Sequence, residues 1–76
     1  MEKMIKQLFA DVLQISGDEI LDTSSPATIP EWDSLNHLNL IATFEGEMGL
    51  DIEPEDIPKM MQDYSTFRSV IINKIG

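Results

Sequence analysis

Apolar residues recur along this chain at steps of three and four, the spacing that places side chains on one face of an α-helix. Near the N-terminus the set is Met4, Ile5, Leu8, Phe9, Val12 and Leu13, which predicts a helix over residues 2–15. Ser16-Gly17 would end it, with Gly17 in a left-handed conformation. The alternation typical of a strand appears only in the triplet Leu50-Asp51-Ile52, which is too short to indicate a sheet.

Three more helices follow from the same spacing. A second helix is predicted over 34–48, and its inward-facing set is Leu35, Leu38, Leu40, Ile41, Ala42, Phe44 and Met48. Pro54 suits the first turn of a short helix over 54–61. Ser65 or Thr66 would cap a last helix over 66–75, which directs Phe67, Val70, Ile71 and Ile75 inward. We therefore predict an all-α fold, a small four-helix bundle of three main helices and one short one, as a single domain over 1–76.

A long loop over residues 16–33 joins the first two predicted helices. It holds Gly17, Pro26, Pro30 and five Ser or Thr residues, and we expect Ile20, Leu21 and Ile29 to attach it to the core. Loops of this length in a compact domain are often functional. This loop leads directly to Ser34.

Charge limits the partners that such a chain can have. Fourteen acidic residues face five basic ones, for a net charge of −9, and no Lys or Arg occurs between Lys6 and Lys59. This balance disfavours nucleic acid and anionic lipid and favours basic protein partners, unless the acids serve solubility alone. The chain has no cysteine and one histidine, which argues against a disulfide framework and a metal site. Without a signal peptide or membrane-length apolar run, we expect a soluble, cytoplasmic monomer.

The stretch PEWDSLNHLNLI contains the residue with the most chemical interest, Ser34. Serine at a helix start is commonly a cap, but Asp33 also fits that role and would leave the Ser34 hydroxyl free. A nucleophile would need His37 as its base, yet consecutive turns of one helix rarely give triad geometry, and no glycine-rich elbow is present. We therefore expect no enzyme activity, and a partly exposed surface position for His37.

A third possibility is that Ser34 is a point of attachment. The start of a helix carries unpaired N–H groups and a partial positive charge, which favour a phosphate placed there. An exposed serine at the end of a long loop would also be accessible to a modifying enzyme.

The tripeptide Asp33-Ser34-Leu35, at the start of the second helix of an acidic bundle of this length, resembles the acyl carrier proteins, and the resemblance extends over the whole chain. It implies that a phosphopantetheinyl transferase moves 4′-phosphopantetheine from coenzyme A to the Ser34 hydroxyl, beside Asp33 and Leu35. The thiol of that arm would hold an acyl or aminoacyl cargo as a thioester. The implied partners are that transferase, a loading enzyme and a downstream transferase or synthase.

In this family the cargo can lie between helices. Here the candidate residues are Leu38, Ile41, Ala42, Ile57, Met60 and Met61, although ordinary core positions would explain all six equally well.

The chain departs from the carriers of fatty acid synthesis in two respects. Uncharged residues replace the acids that usually follow the serine, and Trp32 precedes the motif, which resembles freestanding carriers of specialised pathways (polyketide, nonribosomal peptide or sugar-modifying). Trp32 could equally anchor the helix start. The residues predicted to bind partners are Trp32, Asn36, His37, Asn39, Glu45, Glu47 and Asp56. The alternative function is a small acidic interaction module that binds a basic protein without modification.

Overall fold

The computed structural model describes all residues, Met1–Gly76, and contains only helices and loops. Its elements are α1 (Glu2–Leu13), a short 3-10 helix (Gly17–Glu19), α2 (Ser34–Met48), α3 (Asp56–Met60) and α4 (Tyr64–Ile75). Helix α1 packs against α2, and α3 packs against α4. The predicted all-α bundle of three main helices and one short helix is confirmed. None of the helices has the length and apolar character needed to cross a membrane.

An aromatic cluster centred on Phe9 holds the core together. The ring of Phe9 makes edge-to-face contacts with the rings of Trp32, Tyr64 and Phe67, each at a centroid distance of 5.0 Å. Phe44 contacts Phe67 in the same manner at 5.1 Å. These residues belong to α1, the long loop, α2 and α4, so one cluster connects most of the fold.

The first helix ends earlier than predicted, and Gly17 does not take the left-handed conformation. That conformation belongs to Gln14, with φ of 58°, whose N–H bonds back to Ala10 and Asp11. Gly17 instead begins the 3-10 helix. Ser16 and Glu19 cap it, because the Ser16 hydroxyl accepts from an N–H of that turn while the Glu19 carboxylate accepts from Ser16 N at 3.0 Å.

The predicted bounds of α2 are confirmed, whereas α3 and α4 begin at other residues. Pro54 lies in the turn before α3, which has only five residues and starts at Asp56. Helix α4 starts at Tyr64, and its cap is Asp63 rather than Ser65 or Thr66. The Asp63 carboxylate accepts from Thr66 N at 2.7 Å, and that hydrogen bond lowers the pKa of Asp63.

Several apolar residues predicted to face inward are exposed instead: Met4, Leu21, Leu35, Leu38, Ala42 and Ile75. In α2 the buried residues are His37, Leu40, Ile41 and Phe44, which follow helical spacing. The buried stripe of α2 therefore contains the histidine and excludes the leucines on either side of it. The helix has more apolar residues than one face can hold, and packing selects which of them are buried.

The long loop is attached to the start of α4 as well as to the core. Ile20 and Ile29 are buried, as predicted. The carbonyl oxygens of Asp22 and Ser24 accept from the first N–H groups of α4 at 3.0 and 2.7 Å. The Asp22 carboxylate also pairs with the Arg68 guanidinium at 2.6 Å, and this pairing lowers the pKa of Asp22.

Candidate functional site

Ser34 is the first residue of α2, and its side chain is exposed. Asp33 is the N-cap, since its carboxylate accepts from Asn36 N at 2.8 Å. The Ser34 hydroxyl takes part in none of the side-chain hydrogen bonds of the protein. The capping role and the free hydroxyl are therefore divided between neighbouring residues, as the sequence predicted.

Some backbone N–H groups at this helix start form no hydrogen bond within the chain. The first N–H with a backbone acceptor is that of His37, which bonds to the Asp33 carbonyl at 2.8 Å. The N–H of Asn36 is used by the cap, and those of Ser34 and Leu35 have no acceptor within the chain. Such donors, together with the dipole of a fifteen-residue helix, produce a partial positive charge beside the Ser34 hydroxyl.

The structure buries Trp32 and His37, and the prediction of a partly exposed His37 is wrong. Trp32 is 1% exposed and His37 is 2% exposed, so neither can touch a partner while the fold is intact. The indole Nε1–H donates to His37 Nδ1 at 3.0 Å, and His37 Nε2 lies 2.7 Å from the Ile57 carbonyl oxygen. Trp32 is therefore the anchor of the helix start, one of the two roles the sequence left open.

No catalytic triad forms around Ser34. Both ring nitrogens of His37 are engaged by Trp32 and Ile57, and the Asp33 carboxylate is engaged by the cap. The side chains therefore lack the serine-to-histidine and histidine-to-carboxylate hydrogen bonds of a serine hydrolase. No group of three or more histidine, aspartate or glutamate side chains is arranged to hold a metal ion.

The two asparagines predicted to contact partners differ in their freedom. Asn36 is half-buried, and its amide donates to the Glu31 carbonyl at 2.8 Å. Asn39 is exposed and donates to the Asn36 side chain at 3.2 Å. Asn36 thus stabilises the segment around Ser34, while Asn39 offers its carbonyl oxygen to solvent.

The three acidic residues predicted to contact partners differ in whether their carboxylates are already bonded within the protein. Glu45 accepts from Ile52 N at 3.1 Å, and Asp56 pairs with Lys74 at 3.2 Å. Glu47 is exposed and has no hydrogen bond or ion pair. Of the three acids, only Glu47 has a carboxylate that is wholly available to a basic partner.

Two exposed leucines next to Ser34 are the surface feature that the sequence reading missed. Leu35 is 70% exposed and Leu38 is 57% exposed, and their spacing places them side by side on α2. They were predicted to face the core because their spacing fits the apolar stripe. One signal in the sequence could have indicated that these leucines are exposed. His37 fits the same helical stripe as Leu40, Ile41 and Phe44.

The residues proposed to surround a cargo are divided between core and surface. Ile41 and Met60 are buried, Ile57 and Met61 are partly buried, and Leu38 and Ala42 are exposed. None of them lines the three grooves of the surface. The most apolar of these grooves, of about 240 Å³, lies between α1 and the end of α2 and is lined by Met4, Gln7, Leu8, Asp11, Glu47 and Met48.

Comparison with known proteins found no protein-family model that matches the chain and no curated protein that is similar to it.

Proposed function

We propose that this chain is an acyl or aminoacyl carrier protein and that Ser34 is the attachment point of its 4′-phosphopantetheine arm. The single observation that carries the proposal is an exposed Ser34 hydroxyl without a hydrogen-bond partner, at a helix start that Asp33 already caps. A serine required for capping would be costly to modify, whereas this hydroxyl is free to form a new bond.

The attachment chemistry suits the local electrostatics. The Ser34 oxygen would attack the phosphorus of coenzyme A to which the pantetheine is bound. The Ser34 O–P bond forms, the bond to adenosine 3′,5′-bisphosphate breaks, and the transferase removes the hydroxyl proton. The product is a phosphodiester with one negative charge, close to the free N–H groups of Ser34 and Leu35. The helix start would therefore stabilise the modified form.

Once attached, the arm would act as a tether. Its thiol forms a thioester with the cargo, and docking of the carrier on a partner raises the cargo's effective concentration at that partner's active site. Leu35 and Leu38 provide an apolar contact beside the arm, and the net charge of −9 attracts partners with basic surfaces. The partners are a phosphopantetheinyl transferase, a loading enzyme and a transferase or synthase that takes the cargo.

Intact-mass measurement tests the proposal directly. The apo-protein is incubated with coenzyme A and a phosphopantetheinyl transferase of broad specificity. We expect the wild type to gain the mass of one phosphopantetheine and Ser34→Ala to gain none. The matched control is Ser69→Ala, which removes an exposed hydroxyl from α4 and should be modified like the wild type. An unmodified wild-type protein, with a known carrier modified in the same reaction, would refute the proposal.

The second candidate is an acidic module that binds a basic protein without modification. The observation in its favour is the pair of exposed leucines, which would serve a partner whether or not Ser34 carries an arm. The mass measurement separates the two, because only a carrier needs the Ser34 hydroxyl.

A further inference from the structure

We propose that His37 is a positioning residue for Ser34: its buried ring connects the segment before Ser34 and helix α3 to the first turns of α2, and so presents the hydroxyl in one fixed place. This inference rests on the proposed modification of Ser34. It assigns to His37 a role that needs no contact with cofactor, cargo or partner.

The partners of the ring determine its protonation state. An indole N–H can only donate, so His37 Nδ1 must accept the bond from Trp32. A carbonyl oxygen can only accept, so Nε2 must carry the proton and donate it to Ile57. His37 is therefore held as the neutral Nε2–H tautomer, between a loop residue and a carbonyl twenty residues further along the chain.

The bonds around Ser34 show what this ring controls. Trp32 is two residues before Ser34 and His37 is three residues after it. The bond between their side chains therefore closes a loop around the attachment point. The Asp33 cap and the bond from Asn36 to the Glu31 carbonyl close the same segment on its exposed side. Ser34 is thus fixed by its neighbours on both sides, and its own hydroxyl takes part in none of these hydrogen bonds.

Protonation of His37 would undo the arrangement. A hydrogen on Nδ1 would face the Trp32 N–H, so two donors would oppose each other in a buried site. The aromatic rings of Trp32 and Phe67 lie beside the imidazole. The pKa of His37 is lowered from 6.5 by burial, which outweighs the opposing effect of the bond to the Ile57 carbonyl.

The charged groups of the neighbouring elements are directed elsewhere. In the segment before α2, Glu31 and Asp33 are exposed, and Asp33 serves as the cap. In α3, Asp56 pairs with Lys74 of α4, and Lys59 is exposed. Arg68 of α4 pairs with Asp22. A positive charge on His37 would therefore remain without a partner.

Four variants test the positioning role through the rate of phosphopantetheine transfer, measured as kcat/KM for the carrier. His37→Phe keeps an aromatic ring and removes both nitrogens, and we expect about a tenfold lower rate. His37→Gln, whose amide can accept and donate, should recover part of that loss. Trp32→Phe removes the N–H donor together with part of the buried ring, so it should also lower the rate. Asn73→Ala, exposed on α4, is the control and should match the wild type. Circular dichroism confirms that each variant is folded at the assay temperature.

The pH profile distinguishes positioning from general stability. The ratio of the wild-type rate to the His37→Gln rate cancels the titration of the transferase itself. It should fall once the pH drops below the pKa of His37 in the folded protein, which burial lowers from 6.5, because only the wild type can protonate the ring. The indole N–H signal of Trp32, the only tryptophan, should shift in NMR spectra over the same pH range.

The outcomes separate this inference from the proposed function. Normal rates for a folded His37→Phe, or a pH-independent rate ratio, would overturn the positioning role and leave the carrier proposal intact. A wild-type protein that is never modified would overturn both, even if the indole signal showed that the bond between Trp32 and His37 exists.

Discussion

The aromatic cluster around Phe9 yields a quantitative prediction about what holds this small bundle together. Phe9 and Phe44 are both fully buried, but Phe9 makes three edge-to-face contacts and Phe44 makes one. Replacing either with leucine keeps an apolar side chain of similar size and removes the ring. Each variant thus serves as the control for the other.

The magnitude follows from the difference in contacts. An edge-to-face pair contributes about 0.5–1.5 kcal/mol beyond the burial of its area. Phe9→Leu loses two more pairs than Phe44→Leu, so its free energy of unfolding should be lower by about 1–3 kcal/mol. A domain of this length is expected to have about 4–11 kcal/mol of stability in total, so the effect is a large fraction of it.

Urea denaturation provides the measurement. Circular dichroism follows the helices, and the fluorescence of Trp32, which contacts Phe9, follows the cluster. The two probes should give one transition in each variant if unfolding is two-state. Equal destabilisation of the two variants, to within about 0.5 kcal/mol, would refute the conclusion that the contacts of Phe9 hold the core together.

Four further predictions concern stability. Tyr64→Phe removes a buried hydroxyl that has no hydrogen-bond partner, in a side chain whose pKa burial raises to about 12. It should raise the free energy of unfolding by about 1 kcal/mol in urea denaturation. A decrease of similar size would mean that the Tyr64 hydroxyl does form a hydrogen bond in the folded protein. Gln14→Gly relieves a left-handed non-glycine residue and should add about 0.5 kcal/mol, whereas Gln14→Ala should add nothing. As the pH falls below 6.5, the unfolded chain binds a proton that buried His37 resists, so stability should fall by at most about 1.4 kcal/mol per pH unit. In His37→Phe the free energy of unfolding should not depend on pH in this way, at pH values above those at which the carboxylates titrate. Added salt should raise the Tm, because only two of the fourteen acidic side chains form ion pairs; an unchanged Tm would mean that self-repulsion is negligible.

Helix α2 shows what could be read from the sequence. Its start and end were predicted to the residue, because both depend on local chemistry. The Asp33 carboxylate caps the first turn, and Gly49 takes the left-handed conformation that ends the helix, with φ of 64°. The free Ser34 hydroxyl followed from the same local reasoning, since one cap suffices for one helix start.

The face of α2 that is buried, by contrast, was decided by the tertiary structure. Its stripe includes His37 because a tryptophan from the loop and a carbonyl from α3 provide the hydrogen bonds that burial of an imidazole requires. Those partners are close only in the folded chain, so no spacing along α2 reveals them.

The burial of the helix face that carries His37 leaves Leu35 and Leu38 exposed on α2. By itself the sequence determined the helical fold, the bounds of α2 and the availability of Ser34, because caps and helical periodicity act within a few residues. Only the tertiary structure decided that His37 is buried and the two leucines are exposed, because each depends on segments that folding brings together.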